Sequence, residues 1–177
     1  MGPQAPIFLP PDSVRVEHEA ELAVVIGRRC RHAQPDEALS FVAGYTVLND
    51  VTARDLQRAD GQFARAKGFD SFCPIGPWVE TSLSPEDLRV WCSVEVSDGR
   101  SELRQDGNTT QMVFGVQALI VAVSRVMTLE AGDVIATGTP EGVGPLLDGD
   151  RVVVGVEGIG ELSNPVRLDP DVPRRER

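Results

Sequence analysis

Three glutamates at alternate positions are the first feature of this sequence that could do chemistry. Glu17, Glu19 and Glu21 lead into Leu22 to Ile26, an apolar, mostly β-branched run that favours a strand. If the strand continued upstream, all three acids would share one face, because side chains alternate across a strand. At an effective dielectric of about 20 and ~5 Å, each like-charge pair costs roughly 3 kcal/mol. We therefore expect a cation to offset the repulsion; a solvated edge strand is the alternative.

The elements that must position these acids are short strands and few helices. Residues 88–97 alternate apolar and polar side chains, which predicts a strand, and Asp98-Gly99 predicts a hairpin after it. Apolar residues at helical spacing predict a helix over 110–126. Thr52 and Asp55 form a capping pattern before a second helix, which Asp60-Gly61 should end. We predict one mixed, mainly β domain over residues 16–168, an extended lead-in over 1–15 and a flexible tail over 169–177.

Composition and charge narrow the function classes. The chain has 177 residues and a net charge of −10, which argues against nucleic acid as a partner. No apolar run approaches the ~18 residues of a membrane span, so we expect no membrane contact. The first residues lack the basic start and apolar centre of a secretory leader, and the three cysteines are widely spaced. These features predict a cytoplasmic protein.

Four segments spread over nearly the whole chain carry motifs in a distinctive order. They are His-Glu-Ala-Glu-Leu-Ala-Val-Val-Ile-Gly at 18–27, Gly-Tyr and Asn-Asp-Val-Thr-Ala-Arg-Asp within 44–55, Ala-Lys-Gly-Phe-Asp at 66–70, and Gly-Asp-Val-Ile-Ala-Thr-Gly-Thr-Pro-Glu-Gly-Val-Gly at 132–144. Together they resemble the fumarylacetoacetate hydrolase (FAH) family. The nearest branch is that of the 2-hydroxyhepta-2,4-diene-1,7-dioate isomerases and related decarboxylases. The resemblance implies a β-roll, in which a mixed sheet wraps into a flattened barrel, and a homodimer.

The resemblance assigns a metal site to three of the acids. It places the metal ligands at Glu19, Glu21 and Asp50, with Mg²⁺ or Mn²⁺ as the bound ion. Carboxylate oxygens without a nearby Cys–His cluster are the ligand set that these hard cations prefer. Glu17 matches no ligand of the family, although it would share their face in a regular strand. A bulge or solvent exposure of Glu17 would explain this difference. We expect His18 to face the other way and to be structural.

The residues after Asp50 are candidates for substrate contact. Arg54 and Gln57 follow it by four and seven residues, which puts all three on one face of a helix. The resemblance makes Arg54 a clamp for a substrate carboxylate and Gln57 a hydrogen-bond partner of an oxo group. Taken alone, Arg54 could form a surface salt bridge and Gln57 could be solvated.

Two more segments complete the predicted site. Lys67, the only lysine in the chain, matches the lysine that the family places beside the metal, where it would polarise the oxo group or protonate an enolate. Gly138 and Thr139 match the loop that holds a substrate carboxylate. A surface charge at Lys67 and a tight turn at the loop are the alternatives.

The implied activity is that of a Mg²⁺-dependent enzyme acting on a small 2-oxo or 2-hydroxy-dienoic dicarboxylic acid through a metal-stabilised enolate. Family members usually carry an upstream lid whose His and Glu activate water, whereas only Pro-Ile-Phe-Leu-Pro at 6–10 precedes the strand here. We therefore expect an isomerase or decarboxylase first, and an acylpyruvate- or fumarylacetoacetate-type hydrolase second. A non-catalytic binding protein that has lost its lid is the third possibility.

Overall fold

The computed structural model describes residues 1–171 and consists mainly of short strands. The strands are β1 (Ile7–Leu9), β2 (Val16–Glu17), β3 (Ala20–Ile26), β4 (Val42–Asn49), β5 (Thr52–Ala53), β6 (Ile75–Glu80), β7 (Arg89–Glu95), β8 (Ser101–Asn108), β9 (Val134–Ala136), β10 (Arg151–Val156) and β11 (Gly160–Leu168). The helices are α1 (Arg54–Asp60), α2 (Ala64–Lys67) and α3 (Val116–Val126), with 3₁₀ turns at Ala38–Phe41 and Thr109–Gln111. Residues 172–177, most of the predicted flexible tail, lie outside the described residues.

The strands form three sheets. Their orders are β1-β11-β10-β7-β8, β6-β4-β3-β9 and the pair β2-β5. Only β1 and β11 run parallel among the strand pairs of residues 1–171, and the rest are antiparallel. The predicted mixed, mainly β fold is confirmed. The closed, flattened barrel that the resemblance implied is not seen in this part of the chain, because the three sheets remain separate.

The core lies where the five-stranded sheet faces the four-stranded sheet. β7 and β10 approach β3 and β4, and the inward residues Val90, Cys92 and Val94 alternate with more exposed neighbours. This confirms the predicted strand over 88–97. Each fully buried valine contributes about 1.5–3 kcal/mol relative to an exposed one, so alternation alone fixes which face turns inward.

The segment before the first acids is part of the fold. β1 pairs in parallel with β11, and the buried Asn164 side chain donates from Nδ2 to Gly2 O (3.0 Å) and Ala5 O (2.9 Å). The predicted lead-in therefore contains an edge strand of the five-stranded sheet. The domain boundaries at residues 16 and 168 stay predictions.

The helices are shorter than their sequence patterns. α3 begins at Val116 instead of residue 110, because Asn108 and Gln111 form a capping box that closes a separate 3₁₀ turn. α1 ends as expected at Gly61, whose φ of 63° suits a glycine. In the part of the chain described, no helix has the length and apolar character to cross a membrane. The cytoplasmic location and the homodimer stay predictions.

Candidate metal centre

Three carboxylates meet at the start of β3. Glu19 precedes this strand, Glu21 is its second residue, and Asp50 directly follows β4, the antiparallel neighbour of β3. One carboxylate oxygen from each lies within 4.8 Å of the others. The backbone holds two of them in place, because the Asp50 N–H donates to Glu19 O (2.9 Å). The structure thus brings together the acids predicted to be ligands, while their role as ligands stays a prediction.

A break in the strand separates Glu17 from this triad. β2 ends at Glu17 and β3 begins at Ala20, and between them the Glu19 N–H donates to the side chain of Asn49 (Oδ1, 3.0 Å). Glu17 is only 2 % exposed and accepts from Arg15 Nε (2.6 Å) and Arg54 Nε (2.8 Å). The suggested solvent exposure of Glu17 is therefore wrong. The interruption, acting like a bulge, explains why this acid does not join the triad.

The surroundings of Glu21 provide the test of whether a divalent ion fits. Its carboxylate is buried and accepts from the Gly138 N–H (Oε2, 2.8 Å), but it has no ion-pair partner among residues 1–171. Burial, with the nearby charges of Asp50 and Glu19, raises the pKa of Glu21 to about 7, although the hydrogen bond from the Gly138 N–H acts in the opposite direction. A buried carboxylate without a cation is costly, and an all-oxygen triad suits Mg²⁺ or Mn²⁺, so the residues fit such an ion.

Lys67 bridges two members of the triad. From the end of α2 its Nζ donates to Glu19 Oε2 (2.8 Å), Asp50 Oδ2 (2.5 Å) and Thr52 Oγ1 (3.0 Å). Burial lowers the pKa of Lys67, but the hydrogen bonds to Asp50 and Glu19 outweigh it and leave that pKa above its usual value. Lys67 and Asp50 are the more exposed side of the cluster, at 22 % and 20 % of their side-chain surface. A substrate would therefore reach the cluster from this side.

Arg54 binds two of the glutamates, Glu17 and Glu19. Its guanidinium donates to Glu17 Oε2 (Nε, 2.8 Å), Glu19 Oε1 (Nη2, 2.5 Å) and Gln57 Oε1 (Nη1, 2.7 Å). The antiparallel pairing of β2 with β5 brings Glu17 beside the start of α1, where Arg54 lies. The substrate contacts expected of Arg54 and Gln57 stay predictions. What the structure shows is that both side chains already belong to the hydrogen-bond network around Glu19.

The predicted carboxylate-binding loop is joined to β3 by hydrogen bonds. Thr139 Oγ1 donates to Ala20 O (2.9 Å), and Thr137 Oγ1 donates to Leu22 O (2.7 Å). The Gly138 N–H is the group that holds Glu21. The loop therefore lies directly against the acids, although the substrate contacts of Gly138 and Thr139 stay predictions.

Comparison with known proteins places this arrangement in a family. Residues 1–167 match the family described as "Fumarylacetoacetate (FAA) hydrolase C-terminal". The chain belongs to this family. Among solved structures similar to this FAH-family chain is 5-carboxymethyl-2-hydroxymuconate delta-isomerase from Mycobacterium smegmatis, at 50 % identity and a TM-score of 0.91, covering 96 % of this chain and 66 % of that one.

Two further relatives carry other reaction names. Fumarylacetoacetate hydrolase from Exiguobacterium antarcticum is 47 % identical with a TM-score of 0.89, covering 95 % of this chain and 62 % of that one. The mitochondrial oxaloacetate tautomerase Fahd2a of Rattus norvegicus is 41 % identical over 94 % of this chain and 55 % of its own length. The FAH-family chain thus spans less than two thirds of the length of these relatives.

Sequence reasoning missed two amides that hold the acids in place. Asn49 supplies the acceptor for the Glu19 N–H, and Gln105 on β8 contacts both the start of β3 and the loop at 137–140. Asn49 stands in the Asn-Asp motif, but that motif was interpreted only through Asp50, and the single amide of Gln105 carries no periodic signal in its strand. The partners of the Asn49 and Gln105 side chains lie at least 30 residues away in the chain, so only the folded structure reveals them.

A cavity of about 450 Å³ adjoins the loop. It lies between residues 106–114 and 137–141, and its volume is in the range of small-molecule sites. Apolar side chains, including Met112 and Phe114, form part of the wall, and the charged residues that line it are Asp106 and Glu141. Gly138 lines the cavity, and its N–H donates to Glu21. Among the hydrogen bonds of the described residues, this is the only one that links the cavity directly to the triad.

Proposed function

We propose that this FAH-family chain is a divalent-metal-dependent isomerase, tautomerase or decarboxylase of small 2-oxo or 2-hydroxy-dienoic acids. The observation that supports this most is the convergence of Glu19, Glu21 and Asp50, with the Lys67 ammonium shared between two of them. Such a cluster combines a site for a hard cation with a fixed positive charge next to it. That combination suits a reaction in which negative charge develops on a substrate oxygen.

The triad would hold the Mg²⁺ or Mn²⁺ ion, which would supply a Lewis acid for a substrate oxygen that gains negative charge. Lys67 adds its own positive charge at the exposed side of the triad and carries protons on Nζ that a substrate can receive. Thr52 Oγ1 donates to Asp50 O (2.8 Å) and accepts from Lys67, which fixes the direction of the ammonium. Lys67 would donate one of its Nζ protons to the enolate carbon and regain a proton from solvent water, while Thr52 keeps the ammonium in place.

Two named relatives support enolate chemistry. The Mycobacterium smegmatis structure is called an isomerase of 5-carboxymethyl-2-hydroxymuconate, and the Rattus norvegicus protein an oxaloacetate tautomerase. Both names describe proton shifts in unsaturated or 2-oxo acids, which pass through an enol or enolate. Decarboxylation of a 2-oxo acid with a carboxylate at C4 leaves the same kind of enolate, so one site can serve each of these reactions.

A carbon–carbon hydrolase is the second candidate. It is favoured by the family description and by the structure of fumarylacetoacetate hydrolase from Exiguobacterium antarcticum. Hydrolysis shares the enolate but adds a water molecule, which a base must activate. The two candidates therefore differ in the demand for water and not in the use of the triad.

The deciding experiment compares substrates on one preparation of the chain. Oxaloacetate tautomerisation and decarboxylation, isomerisation of a hydroxymuconate-type diacid and cleavage of an acylpyruvate would be followed with Mg²⁺, with Mn²⁺ and with EDTA. We expect metal-dependent turnover of oxaloacetate or the diacid, and its loss in Lys67→Met. Efficient cleavage of the acylpyruvate alone would make the chain a hydrolase.

A matched control separates catalysis from stability. Arg65→Met removes an exposed cation of the same helix α2, which pairs with Asp60 at 2.5 Å, so it should leave turnover unchanged. Binding of Mg²⁺ with oxalate but no turnover of any 2-oxo acid would indicate the non-catalytic binding protein instead. Absence of any divalent-ion binding would overturn the proposal.

A further inference from the structure

Gln105 is a buried amide whose position depends on a bulge in β8. The residue is 1 % exposed, whereas Leu103, two positions earlier, is 56 % exposed. In a regular strand these two side chains would share a face. The pairing of β8 with β7 shifts register here, with Cys92 opposite Gln105 and Ser93 opposite Leu103, so Arg104 is an extra residue. The bulge turns Gln105 inward, toward the metal centre.

The side chain of Gln105 uses its full hydrogen-bonding capacity. Its Oε1 accepts from the Ala20 N–H (3.1 Å) and pairs with His18 Nδ1 (2.8 Å), and its Nε2 donates to Pro140 O (2.8 Å) and Thr139 Oγ1 (2.8 Å). The orientation of the amide is fixed, because Pro140 O can only accept and the Ala20 N–H can only donate. His18 Nδ1 must therefore carry a proton and donate to Gln105.

These four contacts connect the two segments that hold Glu21. His18 and Ala20 alternate with Glu19 and Glu21 at the start of β3, and Thr139 and Pro140 follow Gly138, the donor to Glu21. Close packing supports the same link. A Cβ at Gly142 would lie 2.0 Å from Arg104 O, and one at Gly107 would lie 2.6 Å from Pro140 Cβ. Only glycine at these two positions lets the loop approach β8 so closely.

We infer that Gln105 is a positioning residue for the metal centre, which orients Glu21 by holding the 137–140 loop against β3. The inference deepens the proposed function, because its catalytic consequence rests on Glu21 acting as a ligand. Its structural part needs no metal: without Gln105, the Gly138 N–H should lose its fixed distance to the Glu21 carboxylate. Groups that orient a ligand typically change metal affinity about 10- to 100-fold when they are removed.

The main variant cuts only half of the contacts. Gln105→Glu keeps an oxygen acceptor for His18 and Ala20 but replaces the amide nitrogen that donates to Thr139 and Pro140. Gln105→Met, of similar length, removes all four bonds. The matched control is Asn164→Leu, because Asn164 is equally buried (1 %) and also donates two bonds to backbone carbonyls, those of Gly2 and Ala5. A general loss of stability would appear in this control as well.

The first measurement is hydrogen exchange of the Gly138 amide in the presence of EDTA, scaled to the global stability of each variant. We expect exchange at least about tenfold faster in both Gln105 variants and unchanged in Asn164→Leu. The second is calorimetric binding of Mg²⁺, which we expect to weaken about 10- to 100-fold in the Gln105 variants alone. In turnover assays kcat should fall more than KM rises.

Unchanged protection of Gly138 in a folded Gln105 variant would overturn the inference, whatever the activity. If both Gln105 variants fail to fold, Thr139→Val becomes the decisive variant, because it removes one of the two Gln105 bonds to the loop together with the bond from Thr139 to Ala20 O. Faster exchange at Gly138 in a chain that binds no Mg²⁺ would leave the positioning role intact and refute the proposed function. The two ideas therefore fail separately.

Discussion

The two ends of the molecule's central strand are held in place by different forces. The apolar part of β3, from Leu22 to Ile26, lies between β4 and β9 and is held by burial and by two antiparallel ladders, of which the one with β4 shifts register at Ile26. The preceding segment lacks a continuous ladder, and side chains of other elements accept from two of its N–H groups, Asn49 from Glu19 and Gln105 from Ala20. Packing fixes the first region, whereas a few hydrogen bonds over long sequence separations fix the second. Substitutions in the two regions should therefore have separable effects.

The largest expected effect comes from Glu21, a carboxylate of the triad that is predicted to be a metal ligand. Glu21→Gln keeps the size of the side chain but removes a charged oxygen, so Mg²⁺ affinity should fall at least about 100-fold and turnover with it. In EDTA the variant should be at least as stable as the parent, because Glu21 is buried without an ion pair in the described residues. Calorimetry and thermal unfolding measure the two effects. The same substitution at the exposed Glu161 of β11 is the control, and a destabilised apo form of Glu21→Gln would contradict this prediction.

A core substitution should lower stability but leave Mg²⁺ affinity nearly unchanged. Leu162 of β11 is 1 % exposed, and Leu162→Ala should cost about 3 kcal/mol through lost burial and a residual cavity. For a chain of this size that corresponds to a fall in Tm of roughly 9 °C. Mg²⁺ affinity measured well below Tm should stay within about twofold. A large loss of affinity would show that the core and the metal centre are coupled, and would contradict the separation of the two regions of β3.

Replacing Arg54, which binds Glu17 and Glu19, should moderately affect both stability and substrate binding. Arg54→Lys retains the charge but cannot reach Glu17, Glu19 and Gln57 together, since a lysine lacks the planar fork. We expect a loss of about 2 kcal/mol in the free energy of unfolding. Denaturant unfolding measures it, and Arg89→Lys, at an exposed pair with Asp106, is the control. If Arg54 also binds a substrate carboxylate, KM rises in the variant; an unchanged KM would remove that predicted role.

The smallest expected effect concerns the cavity beside the loop. Asp106 and Glu141 line it. Asp106 forms an ion pair with Arg89 (2.6 Å), whereas Glu141 has no ion pair within the part of the chain that the structure describes. A long diacid that placed its second carboxylate there would meet like charge. Glu141→Gln should therefore raise kcat/KM for a seven-carbon diacid about threefold to tenfold, relative to oxaloacetate. An unchanged kcat/KM for the seven-carbon diacid would show that its second carboxylate does not approach Glu141.

The sequence was most informative where one local rule decides the structure. Alternation of apolar residues predicted β7, and the glycine after Asp60 predicted the end of α1. The motifs also identified Glu19, Glu21 and Asp50, which the structure brings within reach of one ion. Those motifs located the residues of the site but not the contacts between them.

What the sequence did not predict depends on irregularities of the backbone. The break between β2 and β3 sends Glu17 to Arg15 and Arg54, although its spacing matches that of the triad. The bulge in β8 turns Gln105 inward, although its spacing from Leu103 would place it with an exposed residue. Patterns of period two assume a regular strand, so they fail where the strand is interrupted.

The position of Lys67 has a consequence for how the protein is produced and stored. Because its ammonium already joins Glu19 to Asp50, the chain carries an internal counter-ion for two of the three acids. We therefore expect the chain to fold without an external ion and to keep its native architecture in a chelator. Under the proposed function, chain produced without magnesium or manganese would be folded but inactive, and adding the ion would restore turnover without refolding.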